Sequence, residues 1–245
     1  MGEERCRREA LTLIRLHILA EGQTEEGFVN EILAPELATH DIVADVHCIT
    51  TGRRRGTVFR GGLVNYEHLA RDLTLWMKGD QNEDSWFTTM FDFYGLPSNF
   101  PGLGTLDPAL GAPDRVAALE AGLHSDIMTR LASLPVSQRF IPYIQLHEFE
   151  ALLFAGPEAF VEAFPDSTQA VRRLSAIRVK FPNPEDINDE PLTAPSKRIL
   201  DLLPDYQKPV AGLLIAQRIG LAAIRGACPH FNAWITRLLV LTGGE

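Results

Sequence analysis

Three short runs in the 245-residue chain place carboxylates where metal-dependent chemistry could use them. In Glu21-Gly22-Gln23-Thr24-Glu25, an acid closes an apolar run and a glycine follows, so the carboxylate can point into a cleft with little steric obstruction. Glu25 lies one helical turn further on, near enough for both acids to reach one ion; the same pattern also serves as a plain helix start. In Phe91-Asp92-Phe93-Tyr94-Gly95, an acid ends an aromatic run, and a buried carboxylate must be solvated, paired or coordinated. Its other reading is a turn residue capping the next loop. The third run is His147-Glu148-Phe149-Glu150. Extended backbone puts Glu148 and Glu150 on one face, with His147 and Phe149 on the other. Glu21, Glu25, Asp92, Glu148 and Glu150 form an all-oxygen donor set, which suits Mg²⁺ or Mn²⁺, ions that act on phosphate. Two such ions can activate water and stabilise the leaving oxygen in phosphodiester cleavage.

Phosphate also needs cations. Arg53, Arg54, Arg55 and Arg60, set among Gly52, Gly56, Gly61 and Gly62, make a basic loop that could contact nucleic acid or simply be solvated. In Pro195-Ser196-Lys197-Arg198, Lys197 could neutralise charge at a scissile phosphate; a helix start with surface cations is the alternative. Cys228-Pro229-His230-Phe231 has no partner cluster and reads as a turn between two terminal helices.

The elements that must position these groups follow from apolar patterning. Leu11 to Ala20, Val43 to Thr50, Ser85 to Phe93 and Phe140 to Leu146 read as strands. Helices are expected from Thr24, acting as N-cap, to about Leu37 with a break at Pro35, and from Leu63 to Lys78. Another is expected from Asp114, as cap, to Leu131. The β-α-β-α-β order predicts an α/β, Rossmann-like, mostly parallel sheet flanked by helices. Such sheets carry their sites in loops at the strands' carboxyl ends, where Glu21 and Asp92 fall. The long Gly/Pro-rich stretch from Gly95 to Pro113 is a functional-loop candidate. Beyond Glu150 the chain reads as mostly helical, and the Pro/Asn/Asp-rich stretch Pro182 to Pro195 divides an α/β domain (1–181) from a helical C-terminal extension packed on it (182–245).

Composition narrows the classes. A net charge of −9 argues against a protein that coats nucleic acid non-specifically, so local basic patches must make any phosphate contact. Three scattered cysteines match neither a disulfide framework nor a zinc pattern. With no membrane-length apolar run and no signal-peptide pattern, a cytoplasmic location is expected, with no membrane partner. The apolar terminal helices could form a homo-oligomer.

Taken together, these residues resemble known families. The Glu21–Glu25 run resembles the opening motif of the TOPRIM fold as found in OLD-family nucleases. Four further segments resemble the bacterial family known as domain of unknown function 4276, a TOPRIM-like group: Phe91–Pro97, Gln145–Leu152, Pro195–Arg198, and Cys228–Phe231 with Trp234. The resemblance implies a TOPRIM-like sheet holding divalent metal through Glu21 and Asp92, with Glu25, Glu148 and Glu150 completing the site. Lys197 would take the role of the lysine near the scissile phosphate. It also implies a nuclease of DNA or RNA, the effector of an anti-phage system alongside an ABC- or AAA-type ATPase. The chain itself has no Gly-x-x-x-x-Gly-Lys-Ser/Thr loop for ATP. One departure is chemical: the family pattern has Asp-x-Asp, and Tyr94 stands in place of the second acid. A regulatory subunit or scaffold with a weakened site is the alternative this departure supports.

Overall fold

Ile14–Ala20 and Ser85–Asp92 are buried almost throughout rather than at every second residue, as strands covered on both faces must be. A computed structural model describes residues 13–54, 57–60, 65–132, 134–187 and 193–242. The start of the strand expected from Leu11, Arg55, the expected helix start at Leu63 and part of the Pro182–Pro195 stretch lie outside the described residues.

In chain order the first half runs β1 (Ile14–Ala20), α1 (Gln23–Phe28), α2 (Ala34–Ala38), β2 (Ile42–Cys48), β3 (Thr50–Arg54), β4 (Thr57–Arg60), α3 (Tyr66–Gly79), β5 (Ser85–Asp92), α4 (Ala112–Arg130), β6 (Phe140–Ile141) and β7 (Ile144–Gln145). The second half is helical: α5 (Glu150–Leu153), α6 (Phe160–Ala163), α7 (Thr168–Lys180), α8 (Pro195–Leu202), α9 (Leu213–Ile219), α10 (Leu221–Ala227) and α11 (Pro229–Leu239). The main sheet has the order β2-β1-β5-β6, with β7 also beside β5, and every pairing is parallel. This is the expected α/β, Rossmann-like architecture. After β2 the chain returns to the opposite side of β1, so the order reverses between β1 and β5. That is the switch point at which such sheets open a crevice. Glu21 and Asp92 stand on its two sides.

Reversal also sorts the helices. Leu16, Ile18 and Ala20 of β1, with Met90 of β5, share a core with Phe28, Leu33, Ile215, Phe231 and Leu238, so α1, α2 and the C-terminal helices cover one face. Leu19, Phe87 and Phe91 pack with Leu69, Leu73, Leu119 and Leu123, so α3 and α4 cover the other. The helical C-terminal part therefore shares its core with the sheet. Trp234 of α11 stacks on Tyr143 at 4.1 Å and donates from Nε1 to Thr88 Oγ1 at 2.9 Å. Glu185 is a buried carboxylate accepting from the N–H groups of His230 (2.8 Å) and Phe231 (3.0 Å) in the first turn of α11. Among the described residues no single helix is long and apolar enough to cross a membrane.

Several local expectations need correction. Thr24 is not a cap: Gly22 holds that position, and Thr24 is buried inside the first turn. Nor is Asp114, since α4 begins at Ala112 after Gly111, with Pro113 fitting a first turn that needs no N–H. The helix after Glu21 is interrupted by a wide π-turn over Val29–Leu33, because Pro35 cannot donate to the turn before it. Within the stretch expected as a Gly/Arg loop, Thr50–Arg54 and Thr57–Arg60 pair as antiparallel strands, β3 and β4. The expected strand over Phe140 to Leu146 is split at Pro142, which has no ladder donor. Thr89 patches the gap, its Oγ1 lying 2.9 Å from both N and O of Tyr143.

Glu185 anchors α11 through two charge-assisted bonds to otherwise unpaired N–H groups. Glu185→Ala should lower the unfolding free energy by about 2 kcal/mol in a urea titration at unchanged m. A loss below about 0.5 kcal/mol would mean that the apolar face of α11 holds it alone.

A candidate acidic metal centre with an internal lysine

Glu21 is the first residue after β1, and its own N–H still bonds across to Met90 O on β5 at 3.2 Å. Its carboxylate reaches the same way: Oε2 accepts from the Asp92 N–H at 3.1 Å. The turn leaving β5 closes over it. A Cβ added at Gly95 would stand 2.5 Å from Oε2 and 2.6 Å from Oε1, so only glycine allows this approach. Glu25, one turn along α1, is turned inward and 4% exposed. Asp92 ends β5, with Oδ1 accepting from the Phe149 N–H at 2.8 Å.

The cation that these acids share is Lys208, in the π-turn Lys208–Gly212 before α9. Its Nζ lies 2.7 Å from Asp92 Oδ2, 3.1 Å from Glu25 Oε1 and 3.5 Å from Glu150 Oε2. The ammonium also sits 5.6 Å from the centre of the Phe149 ring. At 29% exposure it is the most open of these four side chains.

Three carboxylates thus meet one ammonium, and Glu21 stands beside Asp92 as a fourth. Burial, then the charges of Asp92 and Glu25, push the Glu21 carboxyl up to about 8. Burial, then Asp92, raises Glu25, against the opposing pull of Lys208. Burial raises Glu150 to about 7, with Lys208 opposing and Asp92 and Glu148 adding. For Lys208 burial works against charge, but Asp92, Glu150 and Glu25 outweigh it and hold the amine well above its ordinary range. The centre is short of positive charge.

The sequence-predicted residues divide. Glu21, Glu25, Asp92 and Glu150 come together from the ends of β1 and β5 and the segment after β7. Glu148 turns away, and the expected shared face with Glu150 is not formed. His147 takes a left-handed φ of 63°, the chain turns into α5, and Glu148 Oε2 instead accepts from the Ser196 N–H at 3.0 Å. Tyr94, in place of a second acid, bonds through its hydroxyl to His147 Nδ1 at 3.2 Å and through its N–H to His147 O at 3.1 Å. It braces the turn that divides Glu148 from Glu150. Lys197 is exposed on α8, next to the Ser196 that meets Glu148. Arg53, Arg54 and Arg60 belong to the paired strands β3 and β4, and Arg55 lies outside the described residues. Lys208 was not singled out from sequence. It is one lysine before a proline, 116 residues from Asp92, with no spacing to tie them.

The donors fit a hard divalent ion in kind and charge: all are oxygen, and negative charge is in excess. Among the described residues, Oε1 of buried Glu25 and the hydroxyl of Tyr206 lack a hydrogen-bond partner, although Lys208 stands beside the former. As placed, no three Asp, Glu, His or Cys side chains among the described residues form a group that could hold an ion. The acids close on Lys208 instead, so a bound ion would have to share or take its place.

A family model with the description "Domain of unknown function (DUF4276)" matches residues 20–239, which include every member of this centre. Neither the curated proteins nor the solved structures give a match.

Because Glu21 and Glu150 bind protons more tightly folded than their ordinary value of 4.5, the folded state holds the extra protons between that value and about 8. Stability contributed by these groups is therefore present below about pH 4.5 and lost as pH rises through about 7 to 8. In EDTA, Tm should fall from pH 5.5 to pH 8.5, and Glu21→Gln should flatten that fall. Mn²⁺ should restore Tm more at pH 8.5 than at pH 5.5, because only ionised acids bind it. An unchanged Tm with Mn²⁺ at both pH values would count against cation binding here.

Proposed function

The chain belongs to the DUF4276 family, and from the buried acidic centre that it carries we propose a divalent-metal-dependent nuclease that cleaves phosphodiester bonds in DNA or RNA. One observation carries this reading: carboxylates from separate strand ends meet at the switch point of a parallel sheet with more negative charge than Lys208 neutralises. The likeness of Glu21–Glu25 to the TOPRIM opening motif supports it. So does the all-oxygen donor set, which suits Mg²⁺ or Mn²⁺.

Glu21, Glu25 and Asp92 would hold the ion, which when bound would supply Lewis-acid polarisation of a phosphate oxygen. The chain's own groups do the rest. Glu150, raised to about 7, can exchange a proton with water near neutral pH. Lys208 stays protonated and could neutralise charge on a phosphate brought to the centre. Lys197, on the exposed side of α8, is assigned to the approaching substrate rather than to the buried centre. An ATPase encoded in another chain and a cytoplasmic setting belong to this same reading.

A second reading is favoured by the Lys208 contacts themselves. With three carboxylates already paired to an internal ammonium, and Tyr94 where a second acid would add charge, the centre could serve as a structural core of a regulatory subunit.

Plasmid DNA and transfer RNA incubated with the purified chain should be cut with Mn²⁺ and spared with EDTA. Glu21→Ala and Asp92→Ala should abolish cutting, and Lys208→Ala should slow it about 100-fold. No metal-dependent cutting, with or without a partner ATPase, would leave the structural reading in its place.

A further inference from the structure

An acidic centre repels the polyanion that it is proposed to cut, so attraction must come from elsewhere on a chain of net charge −9. Two helices have the opposite balance. Helix α7 carries Arg172, Arg173, Arg178 and Lys180 and no acid, and α8 carries Lys197 and Arg198 against Asp201. They pack side by side, leaving a groove of about 350 Å³ lined by Arg173, Lys180, Arg198 and Asp201 with the apolar Ala176 and Ile177. Arg198 is held in place: its Nε donates to Thr193 O at 2.7 Å and its guanidinium lies 5.5 Å from the Phe181 ring centre. Arg173 and Lys180 are exposed, and among the described residues neither has an ion-pair partner. Three cations against one acid line the groove, a balance that favours a phosphate backbone.

Position adds to charge. The first turn of α8 meets the rim of the acidic centre, where the Ser196 N–H bonds Glu148, two residues before Glu150. Eight residues of helix span about 12 Å, or about three nucleotides of a strand. Groove and centre therefore lie within reach of one short stretch of backbone.

We infer that the α7–α8 groove seats the phosphate backbone of a nucleic-acid strand that continues into the acidic centre. This rests on the nuclease reading for its destination, but binding can be measured without cleavage. The probes are fluorescein-labelled 20-nucleotide single strands of DNA and RNA, followed by anisotropy in EDTA across a salt series with the full chain. Arg173→Glu with Lys180→Glu should weaken binding about tenfold or more and lower the salt slope by about 1.4, since two phosphate contacts to a single strand are lost. Arg173→Gln with Lys180→Gln should give a smaller loss in the same direction. Arg71→Glu with Lys78→Glu on α3 should leave affinity within about twofold. All of these positions are solvent-facing, so an unchanged Tm shows that folding is not the cause. Wild-type affinity and slope in both Arg173/Lys180 variants would overturn the groove, as would failure of the wild type to bind either probe. Should those variants bind normally while Glu21-dependent cutting persists, the groove falls and the nuclease stands. Weakened binding in those variants without any cutting supports the groove and removes the nuclease.

Discussion

Four carboxylates gathered out of water around one ammonium set the terms for the rest of this fold. An isolated buried carboxylate is costly, and three neighbours of like sign make it more so. The cluster persists only because each acid is answered by something specific: a backbone N–H for Glu21 and for Asp92, and Lys208 for Glu25, Asp92 and Glu150. What is left over appears as protons held near neutral pH on Glu21 and Glu150. A group of this kind is poorly suited to add stability, and acids perturbed in this way are characteristic of functional sites.

The sheet supplies the rigidity that such a group needs. Parallel pairing of β1 with β5 fixes Ala20 opposite Met90, so the residues that follow are in place before any side chain chooses a rotamer. Gly95 then removes the bulk that would push the Glu21 carboxylate aside. The left-handed turn at His147, braced by Tyr94, sends Glu150 inward and Glu148 outward. One bend in the backbone thus divides two adjacent acids between the buried centre and the first turn of α8.

Much of this was legible in the sequence, for reasons that can be named. Apolar runs bounded by acids gave the strands, and β-α-β order gave their parallel pairing. Acids at strand ends gave Glu21 and Asp92, and the resemblance to the matched family was carried by the same segments. What stayed hidden depends on tertiary placement or on local backbone. Lys208 has no periodic relation to the acids that it meets. The parting of Glu148 from Glu150 depends on a positive φ at a histidine, which side-chain alternation does not encode. The break at Pro142 was visible as a missing donor, yet the apolar run around it reads as one strand. Thr24 follows cap preferences, but Gly22, extended in backbone, takes the cap and starts the helix two residues earlier.

The interval between Glu21 and Lys208 has a consequence for synthesis. The acids at positions 21, 25, 92 and 150 are all translated before the ammonium that compensates them, at position 208. Until residue 208 is made, these acids have no Lys208 to pair with. The centre therefore cannot assemble before residue 208 is made, and a product truncated before that point lacks its ammonium. Any activity that needs the complete centre must wait for the segment that carries Lys208 to dock on the sheet.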